Sequence, residues 1–143
     1  MKLKFKRLAA PDLMPEYIKV SWLNSYRKSR FAGVVPNNLY SVVYTEALRQ
    51  LWLRGAELFM LVNADFEQQV VAWAVVERTS DGKPVVHYAM TKPNSRRKGY
   101  IRQLLAYAGV DHKQPFYYTF KTGASRYFPA GRYVPEIARR AVA

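Results

Sequence analysis

Between residues 57 and 92 the chain changes period, and that change limits the folds open to it. ELFMLVN (57–63) is an almost unbroken apolar run, and VVAWAVVER (70–78) and VVHYAMTK (85–92) follow at short intervals. Apolar runs of this length, bounded by turn residues, read as strands. The separators ADFEQ and TSDGKP are turns, the second with clear Asp81-Gly82 chemistry. The stretch therefore predicts a three-stranded antiparallel meander.

The segments around it keep helical spacing. Met14, Tyr17, Ile18, Trp22 and Leu23 fall on one face of a helix over 13–29, with Asp12 placed to cap it. A second helix over 39–54 has Leu39, Val42, Val43, Leu48, Leu51 and Trp52 as its apolar positions, and Gly55 stops it. Trp22, Trp52 and Trp73 are expected in the core. Ile101, Leu104, Leu105 and Ala108 repeat the helical spacing in a third helix over 100–108 that ends at Gly109. KLKFKRLA, alternating cations with Leu3, Phe5 and Leu8, reads as a short first strand, and QPFYYTF (114–120) as a last strong one. From Lys121 the pattern is mixed, with Pro129 and Pro135 limiting any helix. The order β-α-α-β-β-β-α-β plus a tail predicts one α/β (α+β) domain over 1–143, its central sheet mostly antiparallel and flanked by helices.

Composition narrows the chemistry. Half of the 143 residues are hydrophobic, enough for one core without staples. The chain has no cysteine, which excludes disulfides and thiolate metal sites, and His87 and His112 lack metal-ligand spacing, so no metal is expected. The basic start MKLKFKRLAA lacks the long apolar segment of a signal peptide, and no run approaches the roughly 20 apolar residues of a membrane span. A cytoplasmic protein without a membrane partner is the expectation. The net charge of +13, spread along the chain, favours anionic partners: nucleic acid, an acidic protein or a phosphorylated cofactor.

The stretch TKPNSRRKGYIRQLL (91–105) joins the last meander strand to the third helix and carries most of the functional information. A helix N-terminus presents unpaired backbone N–H groups and partial positive charge, which together bind phosphate. Gly99 clears space for close approach, and Arg96, Arg97 and Lys98 add charge. A solvated turn explains the same residues, because many strand-to-helix loops hold one glycine and some cations.

With the element order added, the chain resembles the GNAT family of acyl-CoA-dependent N-acyltransferases. The family's loop reads Gln or Arg, two residues, Gly, one residue, then Gly or Ala, commonly with a proline shortly before; Pro93, Arg96 and Gly99 stand in those places. Ile101 departs from the small residue the family prefers. Downstream, Tyr127 precedes Gly131 at the family's spacing for a tyrosine after the fifth strand, although Arg132 and then Tyr133 follow the glycine. SWLNSYRKS and HYAMTK with RRKGYIRQLL also look like small GNAT-type proteins of tailed bacteriophages.

The resemblance implies acetyl-CoA as cofactor and direct attack of an amine on its thioester. Backbone groups of Met90, Thr91 and Lys92 would pair with the pantetheine arm. Those of Arg96, Arg97, Lys98, Gly99, Tyr100 and Ile101 would hold the pyrophosphate, in a cleft where strands 85–92 and 114–120 splay apart. His87 is the candidate base, with Glu77 a competitor, and Tyr127 the candidate acid, with Tyr133 in reserve. The acceptor would be an amine-bearing small molecule or protein. The alternative is a non-catalytic basic protein of the same fold, serving as a phage virion component or associated with nucleic acid. It would then sit in host cytoplasm or virion, with an oligomer supplying what the short C-terminal end lacks.

Overall fold

The period change survives into three dimensions. The computed structural model describes residues 2–27, 37–119 and 128–134. In it β2 (Glu57–Asn63), β3 (Phe66–Arg78) and β4 (Pro84–Thr91) form the predicted antiparallel meander. β1 (Leu3–Leu8) pairs antiparallel with β2, while β5 (Phe116–Tyr118) lies parallel to β4 and β6 (Gly131–Tyr133) parallel to β5. The described residues thus make one six-stranded sheet in the order β1-β2-β3-β4-β5-β6.

Because side chains alternate across a strand, each central strand supplies both faces. Leu58, Met60 and Val62 of β2 pack on one side with Trp73, Val75 and Tyr88, under α1 (Glu16–Arg27) and α2 (Asn37–Leu53), which contribute Ile18, Trp22, Leu48, Leu51 and Trp52. Phe59 and Leu61 pack on the other with Ala74, Val76 and Val86, under Leu104 and Leu105 of α3 (Tyr100–Tyr107). All three tryptophans are buried, as expected. Trp22 stacks on Tyr88 at 5.2 Å between ring centroids, which fixes α1 against β4. Among the described residues no helix is long and apolar enough to cross a membrane.

Four local expectations change. α1 begins at Glu16, after Pro15, so Asp12 does not cap it; the Asp12 carbonyl instead accepts the indole N–H of Trp52 at 2.7 Å and ties this turn to α2. β3 starts at Phe66 rather than 70, which shrinks the turn to Ala64-Asp65. Residues 66–69 are exposed and polar apart from Phe66, and of them only Phe66 has a partner on β2, Asn63, so hydropathy carries no trace of this start of the strand. The strand expected over 114–120 is assigned only over Phe116–Tyr118, and β6 emerges from a tail that showed no strand pattern.

Candidate active site

The site begins with a defect in the sheet. Val75 lies opposite Tyr88, but the next residue, Val76, lies opposite Val86, so His87 is the extra residue of a β-bulge. A bulge interrupts side-chain alternation and re-aims what it carries. His87 is thereby turned toward Glu77, which lies one step past Val76 and so on the face of Val75.

Four side chains meet there, from β3, from β4 and from the residues just past α2 and β5. His87 Nε2 is 2.6 Å from Glu77 Oε1, and His87 Nδ1 is 2.8 Å from Thr119 Oγ1. Arg54, just past the end of α2, donates both Nε and a terminal nitrogen to the two Glu77 oxygens at 2.8 Å. His87 is fully buried, and Glu77 and Thr119 nearly so. Burial alone would raise the Glu77 carboxyl, but the hydrogen bonds from His87 and Arg54 outweigh it and hold the group below the ordinary range. Burial pushes His87 below its ordinary value despite the pull of Glu77. The resting network is therefore arginine cation, carboxylate, neutral imidazole and hydroxyl. The carboxylate can only accept, so Nε2 carries the imidazole proton and Nδ1 accepts from the Thr119 hydroxyl.

Both shifts act on stability in one direction. On acidification the unfolded chain takes up protons first, near the ordinary values of 6.5 for His87 and 4.5 for Glu77. The contribution of the network is complete above those values and is lost as pH falls through them toward the folded ones. Thermal melts should be level above about pH 7 and decline below, at up to about 1.4 kcal/mol per pH unit for each differentially bound proton. In His87→Gln the decline between pH 7 and 5 should shrink. A wild-type melting temperature that does not change over that interval would contradict the neutral buried histidine.

The parallel ladder of β4 and β5 covers only Val85 with Tyr117 and Val86 with Tyr118, and closes with the Thr119 N–H on the Val86 carbonyl at 3.1 Å. Beyond that vertex, from His87 to Thr91, no described strand flanks β4 on this side. Lys92 donates its N–H to Val71 of β3 at 2.9 Å, and strand alternation turns Met90 the same way. Of Met90, Thr91 and Lys92, only Thr91 therefore presents its backbone to the open edge. Its partner there is Ala89, which the sequence could not indicate because the bulge shifts the parity of β4. Met90 packs toward α1, its sulfur beside Tyr88 and Ser21.

At the far end of this edge lies the basic loop. A 3-10 turn over Pro93–Ser95 leads to Arg97 and Gly99, both in left-handed conformation with φ of 65° and 75°. Among the described residues the N–H groups of Arg97, Lys98, Gly99, Tyr100, Ile101 and Arg102 make no backbone hydrogen bond, the first of α3 running from Gln103 to Gly99. The Arg96 N–H is directed at Pro93 instead, and its side chain folds back on the Thr91 carbonyl at 3.1 Å. Ile101, the departure from the family's small residue, packs with Tyr100 against the α3-side core. A Cβ placed on Gly99 would meet nothing within 4 Å. The mouth of α3 is thus open, rich in donors and flanked by exposed Arg97 and Lys98.

Tyr127 lies outside the described residues. Tyr133 is on β6, with its ring 5.5 Å from that of Tyr118. Arg54 and Thr119 are the residues that sequence reasoning missed; one read as a helix end and the other as a strand interior. Among the described residues no group of three His, Asp or Glu forms a metal site.

No protein-family model matches the sequence, and a search of curated proteins finds no match. Solved structures do match. A candidate acetyl transferase from Pyrococcus furiosus aligns over 88% of this chain and 90% of its own, at 14% identity and a TM-score of 0.60. A ribosomal-protein-alanine N-acetyltransferase from Brucella melitensis biovar Abortus 2308 aligns over 97% and 86%, at 14% identity and a TM-score of 0.47. A GNAT-family acetyltransferase from Staphylococcus aureus Mu50 aligns over 73% and 62%, at 13% identity and a TM-score of 0.45. The chain has the GNAT-like acyl-CoA N-acyltransferase fold. At these identities the likeness is one of architecture, and function must be argued from the site.

Proposed function

We propose that this protein transfers an acetyl group from acetyl-CoA to an amine acceptor by direct attack. One observation carries the reading. The β4–β5 ladder stops after two residue pairs, beside a buried imidazole, on the same edge whose far end offers six N–H groups with no backbone partner among the described residues. A thioester with a long amide-bearing arm and a diphosphate matches that sequence of groups. Ala89 and Thr91 would pair with the arm, and 97–102 would hold the diphosphate. When bound, acetyl-CoA supplies an activated carbonyl. His87 supports the base role through the Nδ1 lone pair, and Tyr127 keeps the role of acid that the resemblance gives it. The acceptor class is a small molecule or protein bearing a primary amine.

Acetyl-CoA at a hundred times its Kd should stabilise the fold by about 2.7 kcal/mol, a rise of several degrees in melting temperature. No rise with acetyl-CoA or free CoA would remove the reading.

A second reading rests on the cations. Arg97 and Lys98 are exposed and form no ion pair among the described residues, on a chain of net charge +13. A non-catalytic protein of this fold, bound to nucleic acid or within a phage virion, would use them against phosphate backbones. DNA affinity that falls steeply with salt, together with no acetyl-CoA shift, would favour it.

A further inference from the structure

We infer that the Thr119 hydroxyl relays the acceptor's proton to His87 Nδ1, and that Glu77, gripped by Arg54, is the positioning residue that keeps Nδ1 free to receive it. This rests on the acyltransfer reading and adds the route the proton takes.

His87 has no exposed surface, so an amine in the cleft has no direct approach to its ring. Nε2 points at Glu77, away from β5, and Nδ1 points at Thr119. Thr119 is the residue whose N–H closes the ladder on Val86, and it therefore stands at the vertex from which the cleft opens. A hydroxyl there can accept one proton while releasing another. The arrangement of carboxylate, imidazole and hydroxyl follows the logic of a hydrolase triad, in which the carboxylate fixes the tautomer. Here the hydroxyl serves as conduit.

The step balances without a co-reactant. As the amine nitrogen bonds to the thioester carbonyl carbon, the carbonyl π pair moves onto oxygen, an N–H bond breaks and an O–H bond to Thr119 forms; when the carbonyl re-forms, the C–S bond breaks and coenzyme A leaves as the thiolate. The original Thr119 O–H breaks as N–H forms at Nδ1. One proton has moved, no electron has changed hands, and the imidazolium lies beside the Glu77 carboxylate. Arg54 holds both oxygens of that carboxylate, so Glu77 stays ionised and its bond to Nε2 is preserved.

Nitrogen-15 NMR of the histidine rings tests the inference on the free protein, with His112→Gln used to assign the signals. His87 should show one neutral tautomer, with its proton on Nε2 and a lone pair on Nδ1. Thr119→Val should shift the Nδ1 signal downfield by removing its donor. A proton found on Nδ1 overturns the relay, because that atom could then accept nothing. In the second arm, thiol release from acetyl-CoA is followed with n-butylamine as probe. Thr119→Val should slow turnover at least tenfold with the acetyl-CoA Kd within twofold of wild type, and Thr119→Ser should restore most of the rate. Equal rates for Val and wild type also overturn the relay while leaving acyltransfer intact. If calorimetry shows no acetyl-CoA binding to wild type, the acyltransfer reading itself fails, and the relay fails with it.

Discussion

Gly99→Asp is expected to weaken acetyl-CoA binding about a thousandfold and to leave the domain folded. The two halves of that expectation have separate causes. Gly99 has a φ of 75°, and a Cβ added there meets nothing within 4 Å. The cost is therefore the left-handed conformation alone, about 1 kcal/mol, and aspartate is among the residues that visit that region most readily. A carboxylate at this point faces the N–H groups proposed to hold the diphosphate. Two unit charges about 4 Å apart repel by about 4 kcal/mol at an effective dielectric of 20, which corresponds to about three powers of ten in Kd. Gly99→Asn, the uncharged control, should lose far less. Calorimetric Kd values that agree between the Asp and Asn variants would show that no anion binds at the mouth of α3.

Glu77→Ala is expected to cost about 3–5 kcal/mol of folding stability, read from urea denaturation. The carboxylate is 5% exposed and takes two bonds from Arg54 and one from His87. Its removal takes both of these acceptor oxygens from a guanidinium that is only 20% exposed and leaves the buried imidazole N–H without its acceptor. Glu77→Gln keeps an acceptor for Nε2 and should fall between alanine and wild type. A loss below about 1 kcal/mol for alanine would mean that Arg54 escapes to water and that the network contributes little to the fold.

Much of the fold was legible because periodicity is a local property. The meander over 57–92 showed as apolar runs and turns, and β2 matches its expected bounds of 57–63. The faces of α1 and α2 were legible in part for the same reason: Ile18, Trp22, Leu48, Leu51 and Trp52 are buried at the predicted spacing, whereas Tyr17 is 42% exposed and the side chains of Leu23, Leu39, Val42 and Val43 lie outside the described residues. What hydropathy does not encode was lost. The exposed start of β3 meets β2 only where Phe66 pairs with Asn63, and β6 is three residues docked on β5.

The site divides the same way. Its loop could be read because Pro93, Arg96 and Gly99 occupy one short stretch, and backbone conformation at a glycine is a local matter. His87 and Glu77 were visible only as rivals for one role, yet they share a 2.6 Å hydrogen bond. The sequence by itself determined a sheet with helices on its flanks and a cationic turn before α3. Only the tertiary structure decided that a bulge in β4 would aim His87 at Glu77, join it to Arg54 and Thr119, and exchange Met90 for Ala89 on the open edge. The reason is physical: residues 54, 77, 87 and 119 become neighbours through strand pairing, and the register of a pairing depends on both strands at once.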